Sequence, residues 1–284
     1  MIAEVLIGSA LESTLGYVMG FIIGLIMGLI GGGASLLLPV MVYLLSKEID
    51  LATAYTLILG GVTATFGVIP RLRSGSVDYS TALSLGVPIL LATLFVRGWL
   101  VEAIPDEWFT IGPFTVTKKM FTLLLFASVL LLSFASMMGL IGKNVKPNPD
   151  LRKNKPSVYF GTLIGAGVFI GVLSALIGAG GGVMMVPLLV LLYGLPMNTI
   201  VGTVLLIVSV KSVIGFSGDM YQRYDDIEWS FLAGFAATMV AGVLTGSFIA
   251  SRMKNDQLKT FFAWFILFLA IFIIVKEIFL PETG

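Results

Sequence analysis

Cysteine and histidine are absent from this 284-residue sequence, and only 12% of its residues are charged. The first absence removes disulfides, thiolate nucleophiles and soft metal sites, and leaves cysteine usage silent on redox compartment. The second removes the usual proton shuttle and the commonest metal ligand. No GxxxxGK[ST] nucleotide loop occurs and no pair of acidic residues shares an apolar segment, so the parts an enzyme would need here are missing. No cofactor and no metal are expected. A formal net charge of +1 does not suit a nucleic-acid partner.

What is there is hydrocarbon. The hydrophobic share is 57% and the mean hydropathy +1.03, whereas an ordinary soluble domain carries about 25% charged residues. The chain therefore reads as an integral membrane protein whose solvent is the lipid bilayer. No polar stretch reaches the roughly 50 residues of a separate soluble domain. The N-terminal MIAEVLIGSALE is acidic where a secretory signal would be basic, and residue 1 onward is read as mature protein.

The sequence repeats itself, which is the first thing to look for in such a chain. FIIGLIMGLIG at 21–31 matches VFIGVLSALIG at 168–178, an offset of 147. The copies continue alike, GGGASLLLP to Pro39 and GAGGGVMMVP to Pro187, the second one residue longer. Tyr55-Thr56-Leu57 then matches Gly202-Thr203-Val204, and Asp78-Tyr79 matches Glu228-Trp229. Each half holds five apolar segments, at 9–30, 34–46, 51–70, 80–97 and 119–141, then at 157–177, 183–194, 198–217, 229–251 and 258–280. A span needs about 20 residues, so the second segment of each half is either a thin span or one arm of a re-entrant hairpin. The expected fold is an all-α membrane protein of eight to ten transmembrane helices. Its parts are an N-terminal repeat at 1–141, a basic linker at 142–156 and a C-terminal repeat at 157–284.

Loop charge sets the sidedness. The linker GKNVKPNPDLRKNK carries Lys143, Lys146, Arg152, Lys153 and Lys155 against Asp150, and is expected in the cytoplasm. Threading outward from it puts Arg71, Arg73, Arg252, Lys254 and Lys259 on the same face and most of the acidic residues on the other. Both termini then lie outside the cell, and each half makes an odd number of net crossings. The two repeats are therefore inverted, the plan of secondary transporters whose sites lie near the midplane where helices are broken.

The breaks are Gly31–Gly33 and Gly178–Gly182. Non-helical backbone at membrane depth is tolerated only inside protein or beside water. A helix starting after each break would aim its free N–H groups and positive dipole end at the gap, a ready anion site, and Ser35 would add a hydroxyl. The inversion would let both helix ends face one ligand. Small residues also serve close helix packing, and Gly20, Gly24 and Gly28, with Gly161, Gly165 and Gly167, are read that way. Packing gains nothing from consecutive glycines, so the triple glycines are read as ligand or gate contacts.

Lys211, in VLLIVSVKSVIGF, is the one charge well inside an apolar segment. Intramembrane charge points to function, so Lys211 either contacts the anion or gate, or snorkels to the outer interface. The hydroxyls of Thr53, Thr56, Thr63, Thr65, Thr199, Thr203, Ser209 and Ser212 bond their own helix carbonyls or a neighbouring helix, and as a set would line a polar path. Asn198 reads as an N-cap.

The paired IGxGG-type breaks, each followed by an apolar segment, a proline and a small-Thr-apolar step, resemble the TauE/SafE family of sulfite exporters over about residues 13–278. The resemblance implies transport of a small sulfur-containing anion such as sulfite, thiosulfate or an organosulfonate. It points to Gly31, Gly32, Gly33, Gly180, Gly181, Gly182, Thr56, Gly202 and Thr203 as substrate contacts, and to the inner membrane as location. Tyr55 departs from the glycine at 202. With no Asp or Glu deep inside a span, a proton relay is not evident, and potential-assisted export by alternating access is the mechanism expected, with a small-anion or neutral-solute channel as the alternative.

Overall fold

A computed structural model of the chain describes residues 2–45, 47–96, 107–111, 114–140, 154–177, 181–193, 195–223 and 227–279. All ten apolar segments are helical. The first half forms α1 (Ile2–Ile30), α2 (Gly33–Leu44), α3 (Ile49–Arg73), α4 (Tyr79–Phe95) and α5 (Lys118–Met137). The second forms α6 (Pro156–Ile177), α7 (Gly182–Tyr193), α8 (Met197–Arg223), α9 (Trp229–Arg252) and α10 (Asn255–Phe279). Each helix of the first half thus has its sequence counterpart five helices later. Helix is the form that satisfies every backbone polar group within one segment, which hydrocarbon demands. Among the described residues, five helices are long and apolar enough to cross a membrane, with spans in α3, α6, α8, α9 and α10.

Several helices run past the ends of the sequence reading, while α5 stops at Met137, short of 141. α1 begins at Ile2 instead of 9, α3 runs on to Arg73 instead of 70, and α8 reaches Arg223 instead of 217. Hydropathy marks where hydrocarbon begins, whereas a helix ends only where its hydrogen bonds do. The all-α expectation is corrected at one place. Residues 98–118, given no element by the sequence reading, include two antiparallel strands, β1 (Glu107–Ile111) and β2 (Phe114–Thr117), which pair Phe109 with Val116 and Ile111 with Phe114. Aromatic and β-branched residues on both sides of Gly112-Pro113 are a hairpin composition that hydropathy passes over.

Contacts divide the chain into two units, Met1–Ala82 with Asn198–Met253, and Leu83–Met197 with Lys254–Gly284. Each draws on both halves of the sequence. In the first unit α1 lies along α9 with the backbones nearly touching. A Cβ added at Gly24 would strike the Met239 carbonyl, one at Gly28 the Val243 carbonyl, and ones at Gly242 and Gly246 the carbonyls of Phe21 and Leu25. In the second unit α6 meets α4 in the same manner, with a Cβ at Gly171 falling 2.7 Å from the Ile89 carbonyl and one at Gly167 2.9 Å from that of Leu85. Gly24 and Gly171 are repeat equivalents, and so are Met239 and Ile89. One contact therefore occurs twice, once in each unit, as duplication of a half would produce.

Of the glycines read as packing residues, Gly161 and Gly165 have nothing within 4 Å among the described residues. Their helical spacing therefore serves no contact there. A methyl group forced into the tight crossings costs about 1–3 kcal/mol. Gly24→Ala and Gly171→Ala should each lower the thermal midpoint of the detergent-solubilised protein by several degrees, while Gly161→Ala should leave it within one degree or raise it; equal effects at all three positions would show that the crossings are not close.

Candidate functional site

α1 stops at Ile30 because Gly31 takes the left-handed conformation, φ +73°, and its N–H donates to the Met27 carbonyl at 2.8 Å. This is the helix end that glycine permits without steric cost. The chain then doubles back, so that a Cβ at Gly33 would lie 2.6 Å from the Met27 nitrogen. Leu45, just past the far end of α2, comes within 3.5 Å of the Cβ position at Gly16, so α2 returns alongside α1. At the second break Gly181 has φ +70°, and its Cβ would lie 2.9 Å from Ser174 Oγ. Aligned on the two prolines, Gly33 corresponds to Gly181, and Met27 to Ser174 by the repeat offset. Both breaks thus fold back on the same point of the preceding helix.

α7 begins directly after its break at Gly182, as expected from the sequence. The expectation is corrected at α2, whose first turn, Gly33–Leu36, is 3-10 and whose end past Pro39, Val40–Leu44, is π. A proline cannot donate to the turn before it, and the helix around it adopts tighter and wider turns than α. Of the anticipated glycines, Gly180 lies outside the described residues. Gly31, Gly32, Gly33 and Gly181 are buried. Ser35 Oγ is fully buried and has no hydrogen-bond partner among the described residues.

Of the hydroxyls anticipated along the third helices, those of Thr56, Thr65, Thr203 and Ser209 bond carbonyls of their own helix, whereas Thr63 Oγ1 is buried with no partner among the described residues. Thr56 Oγ1 donates to the Ala52 carbonyl at 2.8 Å and Thr203 Oγ1 to the Thr199 carbonyl at 2.7 Å, the same bond at equivalent positions. Thr203 Oγ1 also accepts from the N–H of Asp78 at 3.0 Å. At the equivalent of Asp78, the Glu228 N–H donates to Tyr55 Oη at 2.9 Å. The departure at Tyr55 is thereby accounted for: its phenol oxygen receives the backbone N–H that a threonine receives in the other copy.

The residue that the sequence reading missed is Arg71. Counted there as a loop cation, it lies in the last turn of α3 and is only 4% exposed. Nη1 donates to the Asn198 carbonyl at 3.2 Å and to Asn198 Oδ1 at 2.9 Å, and Nη2 donates to the Gly28 carbonyl at 3.2 Å. Gly28 is in the last turn of α1, where carbonyls lack partners and a cation is favoured by the dipole. Asn198, read as a cap, instead orients this guanidinium. Nearby, a Cβ at Gly202 would strike the Ser76 carbonyl and lie 3.2 Å from Arg71 Cβ, and one at Gly31 would lie 3.2 Å from the Val201 carbonyl. Gly31, Gly202 and Thr203 are thus brought together around Arg71.

Thr56 and Lys211 are not part of this junction. Thr56 is fifteen residues before Arg71 on α3, about 22 Å at 1.5 Å per residue. Lys211 is thirteen residues beyond Asn198 on α8, about 20 Å along the axis. It is 4% exposed, so its amine is not reaching outward as the snorkelling alternative requires. Gly181 and Gly182 belong to the other unit. At the opposite end of α3 from Arg71, Lys47 pairs with Glu228 at 2.5 Å.

Stacked apolar helices with glycine breaks define a multi-pass membrane protein, and its class is that of the transporters. Residues 17–273 match the family model described as Sulfite exporter TauE/SafE, and the chain belongs to that family, as the sequence resemblance led one to expect. No curated protein and no solved structure matches it significantly.

The left-handed conformation costs a residue with a Cβ about 1–2 kcal/mol. Gly75 has φ +67° and nothing within 4 Å among the described residues, so Gly75→Ala isolates that cost. Gly31→Ala and Gly181→Ala should destabilise the solubilised protein by more than Gly75→Ala does in thermal unfolding; equality would mean that the breaks are not closely packed.

Proposed function

We propose that the protein exports a small sulfur-containing anion, such as sulfite, thiosulfate or an organosulfonate, across the inner membrane by alternating access. In this reading the two halves are inverted repeats, α2 and α7 are arms of hairpins at the glycine breaks, the 142–156 linker is cytoplasmic and both termini are outside. The observation that carries the reading is Arg71, a buried guanidinium beside the first break whose partners among the described residues are all uncharged oxygens. A buried cation without an acid is stabilised by an anion that arrives from outside the chain. The amides of Gly32 and Gly33 and the Ser35 hydroxyl supply the further anion contacts at this break, and Gly180, Gly181 and Gly182 are the corresponding contacts at the break of the other copy. Gly202 and Thr203 shape the surroundings of Arg71, and Thr56 stands further along the path on α3.

Energetics favour export without a proton relay. An inside-negative potential contributes about 2.3 kcal/mol per charge per 100 mV, and tenfold accumulation inside adds about 1.4 kcal/mol. Sulfite efflux from proteoliposomes should therefore accelerate when the interior is made negative, and trans sulfite should accelerate exchange, as carriers allow and open pores do not. Flux that ignores potential while following a pH gradient would replace this with proton coupling, and absent counterflow would make the protein a channel. Lys211→Met should abolish transport at normal expression; near-normal transport would remove Lys211 from the pathway.

A further inference from the structure

Arg71 does more than close the end of α1. It lines a cavity of about 560 Å3 within the first unit, together with Asn198, Ser74, Ser76, Ser247 and Ser251. The volume is ample for a hydrated oxyanion, since a liquid water occupies about 30 Å3. Among the described residues, no acidic side chain is on the wall. Ser247, only 4% exposed, has an Oγ that is buried with no hydrogen-bond partner among the described residues. A buried hydroxyl left unpaired needs an explanation, and an absent ligand is one. The Arg71 side chain has spare capacity as well, because three of the five N–H donors that a guanidinium carries are used among the described residues. Arg252 sits 4.1 Å from the ring of Phe248, itself on the wall, which puts a second positive charge next to a wall residue.

We infer that this cavity is a loading site for the oxyanion, with Arg71 and Ser247 as binding residues, and that Arg71 makes its occupancy felt at the glycine break through its bond to the Gly28 carbonyl. The inference rests on the export reading, which it deepens by naming where the anion first docks. By that reading the cavity opens on the face of the 142–156 linker. A planar fork and a hydroxyl ring suit an anion bearing several oxygens, in which two N–H groups grip one edge and Ser247 donates to another oxygen. The oxyanion is either a free solute such as sulfite or the phosphate of an anionic lipid head, and the chemistry is the same.

The test uses sulfite on the full-length protein in detergent, read by thermal shift, and in proteoliposomes, read as half-saturation from each face. A charged hydrogen bond is worth about tenfold in affinity and a neutral one about threefold. Arg71→Gln should weaken sulfite stabilisation about tenfold or more and Ser247→Ala about threefold, with Arg71→Lys between them. The half-saturation for transport should rise to match from the linker face only. Should Arg71→Gln fail to fold, Ser247→Ala and Arg71→Lys carry the test. Wild-type half-saturation in both folded variants overturns the site while leaving export standing; absent transport by the wild type overturns export, and the binding shifts still decide the site. Stabilisation by phosphatidylglycerol but not by sulfite overturns the loading site and makes the cavity a lipid seat.

Discussion

Everything in this fold answers to one constraint: hydrocarbon offers no hydrogen bonds, so each interruption of a helix must find its partners in the protein itself. The first interruption shows how. α1 ends with Gly31 returning its N–H to Met27, and with the next carbonyl, that of Gly28, taken by the guanidinium of Arg71. A main-chain end that would be costly in lipid is closed by a side chain from α3, which Asn198 of α8 holds in place. The break therefore fixes three helices relative to one another. It also brings a positive charge into the protein beside non-helical backbone.

The glycines divide into kinds that no composition count distinguishes. Gly24, Gly28, Gly242 and Gly246 let α1 and α9 approach until their backbones nearly touch, which in lipid is a principal source of helix association. Gly31 and Gly181 are required for their dihedral angles and Gly33 for the space that Met27 occupies. Gly24 and Gly171 keep one use in both copies, down to the equivalent carbonyls that they meet. The threonine steps behave likewise, and where one copy lost the pattern, at Tyr55, a longer side chain delivers an oxygen to the same backbone donor.

Much of this was legible in the sequence. All ten helical segments, the repeat and the family follow from hydropathy and the doubled glycine motif, because bilayer thickness and backbone satisfaction leave few alternatives. The helix ends were less legible, since α3 continues through Pro70 beyond its apolar window, and that error hid Arg71. Counted by position along the chain, an arginine just past a hydrophobic run is a loop charge; only the extra turn of helix, opposite the Gly28 carbonyl and against Gly202, puts it inside. The β-hairpin at 107–117 was hidden because hydropathy has no period-two signal in so short a stretch. The consecutive glycines were read from the sequence as ligand contacts; their other duties at the first break, the left-handed turn of Gly31 and the space that Gly33 leaves for Met27, carry no hydropathy signal.

The cations of the first unit are spaced in a way that bears on movement. Arg71 holds the beginning of α8 through Asn198, and Lys211 lies buried about 20 Å further along the same helix. In the export proposed above, an anion passing along α8 would leave one buried cation and approach another. Two moderate attractions separated by most of the hydrocarbon thickness bind less tightly than one deep well, and conduction or transport requires that binding be weak enough to release. The arginine, with its fixed fork and its bond to the glycine break, suits recognition at one end; the lysine, a compact charge on a flexible stem, suits a passing contact. Under the proposed export, the difference in side-chain chemistry would set an order for the two encounters, recognition where helix α1 is broken and relay where α8 is continuous.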